Sequence, residues 1–297
     1  MAIRNKPMTI APERPRRSAL YLPASNARAI AKARTLPADV IILDLEDAVA
    51  PDAKVTAREA ALAAVAEGFG HREVAVRANG IDTPWGAADL AALATSGADA
   101  VLVPKVSSPE DVLRYDAALA DAPPHMQLWA MIETCGSIAQ LDAIARLAAT
   151  TRLSLWVLGT NDLAREMRAR LTADRAPFLP ILSLAVCAAR AHGVAILDAV
   201  CNEFRDIDSF TAEARQGLDF GFDGKSLIHP DQIAPCNAVF APSEDELAWA
   251  HAVIDAFARP ENAGLGAIRI DGKMVELLHL DQARRLVATA QRIAEYG

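Results

Sequence analysis

Glu133 and Asp162 each stand just beyond a short apolar run, LWAMI and LWVL, in the segments IETCGS and GTNDLAREM. Two carboxylates brought to adjacent strand ends can reach one cation. Oxygen ligands suit a hard ion, Mg²⁺ or Mn²⁺. Two protein ligands leave several octahedral positions for water and substrate oxygens, an open and catalytic kind of site. Each residue also has a structural reading: Glu133 as an acid facing the dipole of a helix from Ser137, Asp162 as an N-cap. Arg77 ends the run EVAVR. A guanidinium at the end of a buried strand clamps a carboxylate or a developing oxyanion, and a surface ion pair is the alternative. The stretch DLED, Asp44 to Asp47, crowds Glu46 and Asp47 beside Asp44. Such acids repel unless paired or close to a metal, so some of them orient Arg77 or metal-bound water. Lys225 and His229 in GKSLIHP are open between a structural hydrogen bond and proton transfer. Cys135 lies near Glu133 without an assigned role.

These residues share a position. Each follows a β-rich run, and a helical stretch comes next. Candidate strands are Ser18–Leu22, Val40–Leu45, Glu73–Arg77, Ala100–Pro104, Leu128–Ile132, Leu155–Leu158, Val194–Asp198 and Phe220–Asp223. Candidate helices between and after them are Asn26–Thr35, Asp52–Glu67, Trp85–Thr95, Pro109–Ala120, Ser137–Ala148, Asp162–Arg170, Leu182–His192 and Asp208–Gln216, with Asn26, Asp52 and Ser137 as caps. Strands alternating with helices argue for a parallel sheet, and eight such units fit an α/β fold of the (β/α)8 TIM-barrel type. A doubly wound open sheet would place a Gly-rich phosphate turn after the first strand, where this chain reads LPASNAR. In a barrel, catalytic groups project from the C-terminal ends of the strands. The ends here read DLED, VRAN, PK (Pro104, Lys105), IET, GTND and DGKSLIHP, a ring of ionisable residues on one rim.

The spacing assigns residues 1–235 to the barrel and an N-terminal arm. Residues 236–297 form a C-terminal helical extension, expected to act as a lid or pack on a neighbouring subunit. Its elements are a helix over Glu244–Ala258, a turn region over Asn262–Gly272 and a last helix over Val275–Glu295.

Composition bounds the rest. The chain has 297 residues, 52% hydrophobic and 23% charged, which excludes a disordered or fibrous protein. Its net charge of −8 argues against nucleic acid as the main partner. The most apolar stretch, Phe178 to Ala189, is too short to span a bilayer and contains Pro180. The basic segment MAIRNKPMTIAPERPRR lacks an apolar core and reads as a flexible arm rather than a secretory signal. Four cysteines without metal-ligand spacing read as free thiols in the cytoplasm.

Several motifs follow one another in order: RSALYLPASNARAIAKA, ADVIILDLEDAVAP, VAVRANGIDTPW, LVPKVSSPEDV, MIETCGSI, LGTNDLA and GFDGKSLIHPDQI. From Arg17 to the last helix the chain resembles the citrate lyase beta-subunit-like family, which includes the malyl-CoA, β-methylmalyl-CoA and citramalyl-CoA lyases. The resemblance implies a TIM barrel that breaks or forms a C–C bond next to a thioester. It implies Mg²⁺ on Glu133 and Asp162 and a catalytic Arg77. Tyr21, Lys32, Glu46, Asp47 and Arg77 fall on the substrate and CoA side. The family's C-terminal GKMID or GRLVD reads GKMVE here, so its acid/base Asp, given by an adjacent subunit, becomes Glu276. That carboxylate reaches one methylene further. Two other departures are Asn26, where the family usually has a basic residue, and Ser137, where it has a glycine. The implied function is Mg²⁺-dependent cleavage of malyl-CoA, β-methylmalyl-CoA or citramalyl-CoA to an acyl-CoA and glyoxylate or pyruvate, by a homo-oligomer, a trimer or hexamer. The alternatives are a citryl-thioester lyase subunit served by an acyl-carrier protein, a class II pyruvate-type aldolase and a non-catalytic CoA-ester binder.

Overall fold

Parallel strands covered on both faces are mostly apolar, and the runs above are, with charged residues confined to positions near their ends. A computed structural model describes residues 14–296; the basic segment ahead of them lies outside the described residues. Eight strands close into a barrel: β1 (Ser18–Pro23), β2 (Val40–Asp44), β3 (Glu73–Arg77), β4 (Ala100–Val103), β5 (Gln127–Ile132), β6 (Leu153–Leu158), β7 (Ala195–Asp198) and β8 (Gly224–Leu227). All pairings are parallel, and β8 returns to β1, so no strand is left with an open edge. Between the strands run α1 (Ala27–Ala33), α2 (Lys54–Glu67), α3 (Gly86–Ala94), α4 (Pro109–Ala118), α5 (Cys135–Ala139), α6 (Leu141–Ala145), α7 (Thr160–Met167), α8 (Leu179–His192) and α9 (Ile207–Phe220), and α10 (Ile233–Phe240) follows β8. The TIM barrel expected from the sequence is the fold.

Strand side chains alternate between two cores. Val40, Ile42, Leu102, Trp129, Leu155 and Leu197 fill the interior, together with the small Ala19, Ala75 and Ala100. Leu20, Ile41, Leu43, Val76 and Val101 face outward against the helices.

The structure corrects several local expectations. Strand eight is Gly224–Leu227 and not Phe220–Asp223, because Phe220 ends α9 and Gly221 caps it at φ 93°. A Cβ at Gly224 would collide with the Arg16 carbonyl, so this strand opens on a residue without one. The expected helix Ser137–Ala148 is α5, α6 and a 3-10 turn over Arg146–Ala149. Gln140 leaves helical geometry at φ −128°, and its side chain donates to Ser107 O at 3.1 Å. Asn26 does cap α1, accepting from Ala29 N at 3.0 Å. Asp52 caps nothing and lies within a 3-10 turn, Pro51–Ala53. Thr134 is the N-cap of α5, with Ser137 its capping-box partner.

Two compact units result. The barrel unit runs from Arg16 to Phe240, past the boundary expected at 235. The reason is α10, whose Ile233, Cys236 and Phe240 are buried in the outer barrel core. The second unit takes in the chain from Ala241 onward, with Arg14 and Pro15 among the described residues ahead of the barrel. It contains α11 (Glu244–Ala258), a hairpin of β9 (Ala267–Ile270) and β10 (Lys273–Glu276), and α12 (Leu277–Tyr296). The expected turn region thus holds a strand, and Val275 and Glu276 belong to β10 rather than to the last helix. Asp271 and Gly272 turn the hairpin with φ 49° and 79°. Val253, Ile268, Val275 and Leu280 form this unit's own core.

Candidate active site

Asp44 and Arg77 are register partners at the ends of β2 and β3. The guanidinium donates from Nε to Asp44 Oδ1 and from Nη2 to Asp44 Oδ2, both at 2.7 Å. Its remaining nitrogen, Nη1, lies 2.9 Å from Glu46 Oε2 and 3.8 Å from Asp47 Oδ2. The Tyr21 ring sits 5.0 Å from the guanidinium carbon, a cation–π contact. Burial would lower the Arg77 pKa, but the bonds and charge of Asp44 reverse that and hold it well above the ordinary value. Asp44 also accepts from the backbone N–H groups of Glu46 and Ala48 at 2.8 and 3.1 Å. Lys54, from α2, donates to the carbonyls of Leu45 and Glu46. The DLED turn is therefore pinned from both sides.

Glu133 follows β5 and is 1% exposed. Gly159 passes so close that a Cβ there would lie 2.7 Å from Glu133 Oε2, so this approach requires glycine. Burial pushes the Glu133 carboxyl up, against the pull of Lys105. Asp162 lies in the first turn of α7, with Oδ1 2.7 Å from Arg165 Nη2. Lys105 Nζ lies 2.7 Å from Asp162 Oδ2, 3.2 Å from Glu133 Oε1 and 3.9 Å from Glu46 Oε1. An ammonium thus stands among three carboxylates.

The donor set fits a divalent ion. Glu133 and Asp162 already share one positive charge, and Glu46 Oε2 and Lys105 Nζ are buried without an aligned hydrogen bond. Among the described residues no group of three or more His, Cys, Asp or Glu surrounds one point. Two carboxylates would therefore be the protein's share, with water and substrate oxygens supplying the rest, as Mg²⁺ accepts. Glu46 is the other titratable group of note. Burial raises its carboxyl from the ordinary 4.5 to about 7, with Arg77 and Lys105 opposing. Tyr21 is raised above the usual phenol range, chiefly by burial.

The barrel unit brings together Tyr21, Glu46, Asp47, Arg77, Glu133 and Asp162. Lys32 is outside this cluster, exposed in the last turn of α1. Glu276 closes β10 in the second unit, its backbone N–H on His279 Nδ1 at 2.9 Å. The open readings of Lys225 and His229 resolve as structural. Lys225 is fully buried on Asp198, Glu213 and the Ala199 carbonyl at 2.9, 2.7 and 2.6 Å. His229 stacks on Phe204, and its Nδ1 accepts from Asp231 N at 3.2 Å. Cys135 is exposed at the start of α5, and the four cysteines are unpaired. The residue that sequence reasoning missed is Lys105. It was visible only as one charged strand end among several, and nothing local shows that it reaches across to β5 and α7.

A parallel barrel with carboxylates and a clamped arginine on the C-terminal rim defines a metal-assisted (β/α)8 enzyme. The chain belongs to the HpcH/HpaI aldolase/citrate lyase family, whose model matches residues 17–230. It is 48% identical over 284 residues to a (3S)-malyl-CoA thioesterase of Cereibacter sphaeroides, covering 95% of this chain and 97% of that one. It is 32% identical over 310 residues to an L-malyl-CoA/beta-methylmalyl-CoA lyase of the same organism, covering 95% and 97%. Among solved structures, CitE of Mycobacterium tuberculosis in complex with magnesium, acetoacetate and coenzyme A superposes with a TM-score of 0.77 at 30% identity, over 95% of this chain and 100% of that one. No helix among the described residues is long and apolar enough to cross a membrane.

Proposed function

We propose that the protein is a magnesium-dependent carbon–carbon lyase. Its substrate would be a 3-hydroxyacyl-CoA with a carboxylate on the carbinol carbon, such as malyl-CoA, β-methylmalyl-CoA or citramalyl-CoA. The products would be an acyl-CoA and glyoxylate or pyruvate. One observation carries this reading: Glu133 and Asp162 converge on a single cation beside an arginine locked by Asp44. Both carboxylates would hold Mg²⁺, which when bound polarises the substrate hydroxyl and the incipient carbonyl. The remaining work falls to side chains. Glu46, 3.9 Å from the ammonium that spans Glu133 and Asp162, is the carboxylate placed to take the hydroxyl proton. The C–C bond breaks and its electron pair passes into the thioester as an enolate. Arg77, held rigid, meets the charge on the enolate oxygen. Glu276 of a second copy protonates the enolate carbon, which requires a homo-oligomer, a trimer or hexamer. Tyr21 and Lys32 lie on the side that receives CoA. Such a reaction belongs in the cytoplasm, where CoA esters and free thiols coexist.

A second reading is favoured by the 48% identity to a (3S)-malyl-CoA thioesterase: water attacks the thioester carbonyl and releases malate and CoA. A mass-spectrometric time course with the three CoA esters, Mg²⁺ or EDTA, and Asp162→Asn as control separates the two. Metal-dependent acetyl-CoA or propionyl-CoA with a 2-oxo acid supports cleavage. Free CoA and malate without acetyl-CoA support hydrolysis. No product from any ester sinks both, and an acyl-carrier protein becomes the next thioester to offer.

A further inference from the structure

Lys105 stands where β4 gives way to the loop before α4, and its backbone adopts φ 54°. That left-handed conformation is uncommon for a residue with a long side chain. It turns both ends of the residue onto one carboxylate. The backbone N–H donates to Glu133 Oε1 at 2.9 Å, and Nζ lies 3.2 Å from the same oxygen. Nζ is 2.7 Å from Asp162 Oδ2, and Glu46 Oε1 waits at 3.9 Å on another side. The ammonium is thus held by the charge of the surrounding carboxylates, most closely by Asp162.

Two carboxylates cannot sit close together in a buried site without a positive partner. A lysine on this spot keeps Glu133 and Asp162 ionised and ordered. A divalent ion on the same oxygens would repel the ammonium at short range, so the two cannot share them. The flexible four-carbon stem lets Nζ withdraw, and the nearby Glu46 carboxylate receives it.

We propose that Lys105 is an internal counter-cation, which holds the Glu133–Asp162 pair in the metal-free protein and exchanges with an incoming divalent ion. The inference rests on the proposed metal role of those two carboxylates. It makes Lys105 a positioning residue that sets metal affinity, distinct from the ligands themselves.

The test is Mn²⁺ binding to the full-length protein, without substrate, read by the electron paramagnetic resonance of free Mn²⁺ and by calorimetry. Lys105→Met removes the competitor and is expected to bind Mn²⁺ tighter, on the order of tenfold. Its metal-free form is expected to melt lower than wild type and to gain more in Tm from Mg²⁺. Lys105→Arg keeps the charge and is expected to bind no tighter than wild type. Binding by Lys105→Met that is equal to or weaker than wild type overturns the proposal. Absence of Mn²⁺ binding in wild type and both variants overturns the metal reading beneath it as well. Should Lys105→Met not fold, the wild type gives the answer through reductive methylation and peptide mass spectrometry. Mg²⁺ is expected to speed labelling of Lys105 against fully buried Lys225; unchanged or slower labelling overturns the proposal.

Discussion

Asp44 and Arg77, register partners on β2 and β3, meet through two parallel hydrogen bonds of 2.7 Å. A third guanidinium nitrogen is left to face Glu46 at 2.9 Å. Lysine cannot reproduce this fork, because its charge is a point and its donors are not coplanar. Arg77→Lys is therefore expected to lower kcat/KM by about 10² to 10³, the scale for losing an aligned oxyanion donor. Unfolding free energy should fall by about 2 kcal/mol as one charged hydrogen bond is lost. Steady-state kinetics and urea denaturation read both. Unchanged kcat/KM would take Arg77 out of the reaction.

The Glu46 carboxyl stands at about 7 instead of the ordinary 4.5, mainly through burial. The folded protein thus holds this proton more tightly than the unfolded chain. The stabilisation it gives is complete below 4.5 and is lost as pH rises to about 7. Glu46→Gln has no such proton. Its stability relative to wild type is expected to rise across that window, by about 1 to 3 kcal/mol. Denaturation curves at a series of pH values measure the difference, and a flat difference would show that Glu46 does not titrate there. The same substitution should remove an apparent pKa near 7 from the profile of kcat/KM.

Metal dependence should follow Asp162. Its Oδ2 faces Lys105 and its Oδ1 faces Arg165, so Asp162→Asn keeps the shape and loses the charge. Mg²⁺ is expected to raise the Tm of wild type and to leave that of Asp162→Asn unmoved. Turnover should fall by at least about 10². A variant that still gains Tm from Mg²⁺ would place the ion elsewhere.

What could be read in the sequence follows from burial. A strand covered on both faces is apolar until it emerges, so the first polar residue marks the rim; Glu133, Arg77 and the DLED acids were legible for that reason. Strand eight broke the rule. Its residues are GKSL, and Lys225 is tolerated inside because Asp198 and Glu213 neutralise it. Hydropathy cannot see such a pairing across the chain. The hairpin in the second unit did leave a signal, Asp271–Gly272 between alternating residues in AIRIDGKMVE, which a helical reading of Val275 onward overrode. Lys105 showed only as one charged strand end among several, since its role depends on a backbone angle and on partners that follow β2 and β5 or sit in α7.

The network around Lys225 predicts a stability effect without a catalytic one. Lys225 and Arg175 both bind the fully buried Asp198, at 2.9 and 2.7 Å. Burial works against the charge of Asp198, but its two cations prevail and hold its pKa below the ordinary value. Its contribution to stability is thus present above the ordinary aspartate range and is lost as pH falls through the folded value. Lys225→Met leaves that carboxylate under-neutralised and is expected to cost about 3 to 5 kcal/mol at neutral pH. Urea denaturation measures it, while kcat at saturating Mg²⁺ should stay within about threefold if the residue is structural. A large loss of kcat without loss of stability would return Lys225 to the reaction.

Glu276 offers the sharpest division between roles. It closes β10, and His279 Nδ1 accepts its backbone N–H, so its position depends on the main chain rather than on its own carboxylate. Glu276→Gln should therefore fold as wild type does and keep the full Mg²⁺-induced rise in Tm. If its carboxyl protonates the enolate carbon, turnover should drop by about 10² to 10⁴, the scale of a lost general acid. Exchange of the acyl-CoA α-hydrogen with deuterium, followed by mass spectrometry, should drop with it, because the same group removes that proton in the condensing direction. Glu276→Asp keeps the carboxyl but shortens its reach, and is expected to retain part of both activities. Turnover preserved in Glu276→Gln would eliminate the acid/base role, and exchange preserved with turnover lost would move Glu276 to the C–C cleavage step.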